Sequence, residues 1–238
     1  MLPLDESQVV WQLDNQFLRE IIATVLTLAT RSWSDVLRKG EITASSTEND
    51  IAGWLGKRMI AIKNQEFGCD ALFRIEEESG TRSIDEPGKP DGRIDIKIIY
   101  SFVEAEYFGI ECKRVNDKGN DLAKKYVNKG LMRFVTGKYS PGHDWMAMIG
   151  FVVDGKPVQS IERICGFLAI TQRRTHLKRD WVQETTFGNH QHVYSTCHQQ
   201  RGKVSLITIL HLFLTIEPSK DLMEQSEGRY RTAIQQTE

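Results

Sequence analysis

The chain lacks a net charge, a long apolar run and a cysteine pattern, and each lack removes a class of protein. Lysine and arginine number 31 against 32 acidic residues, so overall charge gives no argument for a nucleic-acid partner and local patches must carry it. The four cysteines, Cys69, Cys112, Cys165 and Cys197, show no C-x-x-C spacing, which argues against a disulfide framework. No stretch resembles a secretory signal, and a reducing cytoplasm is the expected compartment. The longest apolar run, Val204–Ile216, contains His211 and falls short of the roughly 20 residues a bilayer requires. No membrane segment is expected. Internal repeats and low-complexity blocks are missing as well.

What is present is a chain of 238 residues, enough for one large core with a modest appendage. Apolar residues recur at helical spacing from Asp14 to Arg38, as one long helix or two short ones, and Gly40 closes the segment. A capping signal at Ser45, Ser46 or Thr47 opens a helix to about Gln65, with Ile51, Trp54, Leu55, Met59 and Ile62 as its buried stripe. Glu48 belongs to that inward face, as a helix-dipole partner or as a reach towards a metal. Ala71–Glu77 reads as a strand and the polar stretch Glu78–Gly92 as a loop.

Beyond the next strands, Asp121–Val135 has a helical pattern, Trp145–Val153 suits a strand buried on both faces, and Ser160–Thr171 is a further helix. A basic segment with Arg173, Arg174, His176, Lys178 and Arg179 follows, then two strands, His190–Gln199 and Val204–Ile216, that make a hairpin. The expected protein is α/β (α+β), a central mixed sheet flanked by helices. It divides into an N-terminal helical segment over 1–43 packed on the core, a main domain over 44–216 and a polar tail over 217–238.

The centre of the chain is DGRIDIKIIYSFVEAEYFGIECKRV, Asp91 to Val115. It reads as two strands about a loop near Ser101–Ala105. Antiparallel pairing about that loop sets Asp95 opposite Glu111, and residues i and i+2 of a strand share a face, so Lys113 joins them. Two carboxylates and an amine among Ile94, Ile96 and Ile110 are costly to bury unless something pairs the charges. A divalent cation does so. Mg²⁺ takes one or two carboxylates with carbonyl and water oxygens, which Asp95, Glu111 and the backbone carbonyl of Cys112 supply. Lys113 then orients the attacking water or neutralises a phosphate. The tripeptide acid-x-Lys occurs at Asp95, Glu111 and Asp154, about as often as composition gives, so the context of the Glu111 copy carries the weight.

That context resembles the PD-(D/E)xK nuclease superfamily, over roughly residues 44 to 153. The resemblance implies a restriction endonuclease-like core, with an acid on one strand and E-x-K on the next holding the metal. It also implies an acid from the preceding helix, matching Glu48 as an additional metal ligand, and a helix after the E-x-K strand that lines the site, matching Asp121–Val135. The literal Pro90–Asp91 reads as a turn before Gly92, so Asp95 is assigned and Asp91 is the alternative. Many relatives carry Gln or Lys on the following helix, where Lys129 is the nearest match. The pattern YVNKGLMRF, the strand ending in Asp-Gly and the late HLFL are also similar to nucleases of restriction and antiphage defence loci.

The resemblance implies Mg²⁺-dependent hydrolysis of DNA, with Mn²⁺ as substitute, catalysed by Asp95, Glu111 and Lys113. Targeting is expected from a homo-oligomer or from a partner ATPase or sensor subunit. Lys125, Tyr126, Lys129 and Arg133 are the candidates for nucleic-acid contact, within a basic ridge that equally suits a solvated helix face. The alternatives are a catalytically silent scaffold of a defence complex, or a hydrolase acting on a small phosphodiester. His190, His192, Cys197 and His198 invite a zinc site, but their spacing matches no common knuckle. A surface strand, or histidines near the substrate phosphate, suits them better. His211, among Leu210, Leu212 and Phe213, reads as a hydrogen-bonded core residue, and the Cys112 thiol as core packing.

Overall fold

The computed structural model describes residues 6–68, 72–82, 90–100, 107–139, 144–188, 190, 192–202, 204 and 206–216, the side chains of 6–15, 78–82 and 90–92 excepted. The N-terminal periodicity becomes one continuous helix, α1 (Glu6–Arg38), and Gly40 ends it in a left-handed turn at φ 67°. Helix α2 (Glu48–Phe67) starts with a reciprocal cap: Thr47 Oγ1 accepts from the Asp50 N–H, and the Asp50 carboxylate accepts from the Thr47 N–H. Strands β1 (Arg74–Arg82), β2 (Pro90–Ile99) and β3 (Tyr107–Asn116) follow. The next helix has three parts: α3 (Asp121–Lys125), a π-helical turn (Tyr126–Leu131) and α4 (Met132–Val135). Then come β4 (Trp145–Asp154), α5 (Pro157–Ile170), the single turn α6 (Gln172–Thr175), β5 (Leu177–Gln183), β6 (Val193–Gln199) and β7 (Leu206–Thr215).

The strands form one mixed sheet in the order β1-β2-β3-β4-β7-β6-β5. β3, β4 and β7 are parallel at its centre, and both flanks are antiparallel. Parallel strands need cover on both faces, and β4 supplies apolar residues to each. Met146, Met148 and Val152 face α5 and the π-containing helix, whereas Ala147, Ile149, Phe151 and Val153 face α1 and α2. Trp33 of α1 stacks on Phe151 with centroids 5.2 Å apart, and its Nε1 donates to the Thr215 carbonyl at 2.7 Å. Ile22, Val25 and Leu26 of α1 thus share one apolar cluster with β3, β4 and β7. Among the described residues no helix is long and apolar enough to cross a membrane. The thiols of Cys112, Cys165 and Cys197 are free. Cys69 and the tail 217–238 lie outside the described residues.

Three expectations change. The polar stretch read as a loop is mostly strand, because β1 runs on to Arg82 and β2 begins at Pro90. Ladder bonds are made by backbone, so polar side chains do not forbid them; residues 83–89 lie outside the described set. The basic segment leads into β5, an edge strand whose exposed Lys178 and Arg179 discourage further pairing. Trp54 leaves the buried stripe of α2: it is 39% exposed with the Lys57 ammonium over its ring, while Ala52 and Gly56 are buried instead.

Where β4 meets β7 under the π turn, the packing leaves no room for a side chain at position 150. A Cβ on Gly150 would lie 2.5 Å from Phe213 Cδ1 and 3.4 Å from Tyr126 Cε2. Rings packed on a sheet cannot swing aside as a flexible chain end can. Gly150→Ala should therefore destabilise the protein by about 1–3 kcal/mol, read as a lower urea midpoint with unchanged m-value. An unchanged midpoint would show that the rings repack freely.

Candidate active site

The site exists because β2 parts from β3. Their pairing runs from Ile99↔Tyr107 only to Ile96↔Ile110, while β2 stays paired with β1 out to Pro90↔Arg82. The next rung would set Asp95 opposite Glu111, as the sequence register predicts. β3 continues to Asn116 with β4 on its other side. Backbone N–H groups left at such a gap need other partners, and carboxylates provide them. Asp95 Oδ2 accepts from the Cys112 N–H at 2.6 Å, and Glu48 Oε2, from the first turn of α2, accepts from the Arg114 N–H at 3.1 Å.

Glu111 and Lys113 lie side by side on the β3 face that packs against the π-containing helix. Glu111 is fully buried. Its Oε1 is 2.7 Å from Lys113 Nζ and 2.6 Å from Arg133 Nη1, whereas its Oε2 has no hydrogen-bond partner. Lys113 Nζ also donates to Glu48 Oε1 and to the Cys112 carbonyl, both at 2.7 Å. Three acceptors thus use the ammonium's three donors. Arg133 Nη1 contacts the Tyr139 hydroxyl as well, and its guanidinium lies 5.1 Å from the centre of that ring.

The electrostatics follow from three carboxylates sharing two cations. Burial, and then the neighbouring Glu111, push Asp95 from an ordinary value near 3.8 up to about 7, against the opposing pull of Lys113 and the Cys112 N–H. Burial also raises Glu111 despite Lys113 and Arg133. For Lys113, burial lowers the pKa, but Glu111, Asp95 and Glu48 outweigh it and the net shift is upward. The lysine is therefore an ammonium at neutral pH.

The donor set fits a hard cation. Glu111 Oε2 is an orphaned buried carboxylate oxygen, no cationic side chain among the described residues bonds Asp95, and the Cys112 carbonyl turns to the same gap. All are oxygens, as Mg²⁺ and Mn²⁺ prefer. Among the described residues no three His, Cys, Asp or Glu side chains are grouped to hold a metal ion, so the set is two carboxylates and a carbonyl. Glu48, read as an additional metal ligand, has both oxygens engaged, by Lys113 and by the Arg114 N–H. These bonds hold Lys113 from the α2 side, and each oxygen keeps a second lone pair, as Asp95 Oδ2 and the Cys112 carbonyl do.

The helix after β3 behaves differently from its sequence pattern. Lys129 and Arg133 share a face of a regular α-helix, but the π turn widens the coil between them and shifts that register. Lys129 and Lys125 stay exposed while Arg133 enters the site. The chain packs so tightly here that a Cβ on Gly130 would lie 3.2 Å from Lys113 Cγ and 2.4 Å from Met148 Cε. Tyr126, a candidate for nucleic-acid contact, is fully buried and bonds His211 Nδ1 at 2.9 Å. Its ring fills the interface between helix and sheet, so it cannot present itself to a ligand.

Tyr139 is a site residue that no sequence signal marked. Asp91 has no described side chain. His198 is buried between Thr175 O and Thr196 Oγ1, so it shares no exposed face with His190 and His192, which are half-buried. The Cys112 thiol lies in the apolar cluster under α1 and α2, on the face away from the carboxylates.

Asp95 sets a pH dependence whose sign is fixed. Its pKa in the fold exceeds its ordinary value, so the stability it contributes is complete below about 3.8 and is lost as pH rises through about 7. Asn at 95 keeps an acceptor for the Cys112 N–H without the charge. In the presence of a chelator, Asp95→Asn should raise the melting temperature above pH 7 and have little effect near pH 4. Parallel melting curves for the two proteins across that range would contradict the assignment.

Set against models of protein families, curated proteins and solved structures, the chain matches none of them.

Proposed function

We propose that this chain is a metal-dependent nuclease of the PD-(D/E)xK kind that hydrolyses DNA phosphodiester bonds. The observation that carries the reading is Glu111 Oε2, a carboxylate oxygen buried beside Asp95 with no donor. An unsatisfied buried polar atom costs about 1–3 kcal/mol, and more when charged, a cost that a bound cation removes. Asp95, Glu111 and the Cys112 carbonyl would hold Mg²⁺, or Mn²⁺ in its place. When bound, the ion acidifies a water and polarises a phosphoryl oxygen.

The chain's own residues have separable tasks. Lys113 carries positive charge beside Glu111 and Glu48. There it neutralises the phosphate oxygens as a water oxygen bonds to phosphorus and the bond to the leaving sugar oxygen breaks. Its upward pKa shift favours this electrostatic role over that of a base. Arg133 holds Glu111 in one orientation from the helix side, and Glu48 does the same for Lys113. The near-zero net charge supports recruitment to DNA by a second copy of the chain, or by a partner ATPase or sensor in a cytoplasmic restriction or antiphage defence assembly.

Purified protein should nick supercoiled plasmid in Mg²⁺ or Mn²⁺. Glu111→Gln and Lys113→Ala should each slow this by about 10²–10³-fold, and Glu48→Gln by about 10–100-fold, as for a group that acts by orienting another. Equal activity in wild type and variants would end the catalytic assignment. Absence of Mn²⁺ binding in calorimetry would point to a silent scaffold, and hydrolysis of cyclic nucleotides without cleavage of DNA to a small-phosphodiester enzyme.

A further inference from the structure

A basic cleft lies between the end of α4, α6 and the β6–β7 turn, outside the catalytic constellation. It has a volume of about 410 Å³ and is lined by Met132, Val135, Thr136, Arg174, His176 and Arg201. Through Met132, Thr136 and Arg174 it runs into a second cleft of about 310 Å³, which adds Asn128 and Arg133. Arg133 is the residue that bonds Glu111. The two clefts thus share three walls, the second ends on the arginine that bonds the buried carboxylate, and no acidic side chain lines either part.

The walls are fixed in place. The β6–β7 turn is docked on the end of α4, with Gln200 Nε2 donating to the Phe134 carbonyl at 3.2 Å and the Arg201 N–H to the Val135 carbonyl at 2.8 Å. Arg174 Nη2 donates to Asn128 Oδ1 in the π turn. His176 has φ 50°, a conformation uncommon outside glycine, at the bend into β5. Cations near a helix C-terminus often serve only to satisfy its last carbonyls. Here the Phe134 and Val135 carbonyls are already taken by a side-chain amide and a backbone N–H. Among the described residues the Arg201 guanidinium has no hydrogen bond or ion pair.

We infer that this cleft binds the sugar-phosphate backbone of the nucleic-acid strand whose scissile bond lies at Glu111, with Arg174 and Arg201 on successive phosphates. The inference rests on the nuclease reading of the Asp95, Glu111 and Lys113 site. Guanidinium groups match phosphate oxygens in charge and geometry, and the Met132 and Val135 side chains suit the apolar faces of the sugars.

The test is fluorescence anisotropy of a short labelled DNA duplex, and of one of its strands alone, with full-length protein in EDTA so that no cleavage intervenes. Arg174→Ala/Arg201→Ala should weaken binding about tenfold or more and lower the slope of log K against log salt by about 1.4 to 1.8, the loss of two phosphate contacts. Arg201→Ala alone, at an exposed and unpaired guanidinium, is safe for folding and should weaken binding about threefold; Arg201→Lys should restore most of it. Affinity and slope like wild type in these variants would overturn the inference, as would displacement of the duplex by millimolar inorganic phosphate. The two readings fail separately. A wild type that binds DNA through Arg174 and Arg201 but never cuts in Mg²⁺ would refute the nuclease and keep the cleft. Cutting with unchanged binding in the double variant would do the reverse.

Discussion

The structure turns on one interrupted ladder. β2 leaves β3 after Ile96↔Ile110 but keeps its pairing with β1, so half of β3 has a strand on one side only. Interior backbone donors must be satisfied, and here the acceptors are carboxylates rather than carbonyls. Asp95 takes the Cys112 N–H and Glu48 takes the Arg114 N–H. The chain's need to satisfy its own backbone thereby draws two acids from different layers of the fold to one edge. It also leaves the Cys112 carbonyl to Lys113 rather than to β2.

That arrangement concentrates charge around a fully buried carboxylate, Glu111, and a buried ammonium, Lys113. Lys113 spends its donors on Glu48, Glu111 and the Cys112 carbonyl, and Arg133 reaches only one oxygen of Glu111. Asp95 receives one backbone N–H and feels Glu111 beside it. Desolvation wins, and its pKa rises to about 7. The same carboxylates keep Lys113 and Arg133 charged, since for both groups attraction outweighs burial. The site thus holds three carboxylates against two cations, and one buried carboxylate oxygen, Glu111 Oε2, is left without a donor.

Much of this was legible because strand geometry is local. The two-residue period places Glu111 and Lys113 on one face, and the loop length sets Asp95 opposite Glu111; both follow from counting along the hairpin. The capping signal over Ser45, Ser46 and Thr47 announced α2, with Thr47 the cap in the fold, and with it the inward position of Glu48. The mixed sheet flanked by helices followed from the order of periodic segments and the doubly apolar run at Trp145–Val153. What was not legible depends on contacts distant in sequence. The π turn at Tyr126–Leu131 has no propensity signal, because it is stabilised by what Gly130 and Tyr126 pack against. Without it, Lys129 and Arg133 look equivalent. Tyr139 enters the site only because Arg133 does, and the continuation of β1 and β2 through polar residues rests on backbone pairing that side-chain patterns do not record.

A buried polar chain on the far side of the helix shows how the π turn is held. Thr175 O can only accept, so His198 Nδ1 carries the proton, at 2.7 Å. Burial first holds His198 down to about 4, with His211 well below its ordinary value, so both rings are neutral. His198 Nε2 then accepts from Thr196 Oγ1 at 2.8 Å, Thr196 Oγ1 accepts from His211 Nε2 at 2.9 Å, and His211 Nδ1 accepts from the Tyr126 hydroxyl at 2.9 Å. Every proton has one place, and every ring nitrogen is satisfied. The chain runs from α6 across β6 and β7 and ends on the first residue of the π turn. Four residues on, that turn sets Gly130 against Lys113, and three further on it delivers Arg133 to Glu111. The position of Arg133 at the carboxylates is thus fixed partly by neutral histidines on strands that do not themselves reach Glu111.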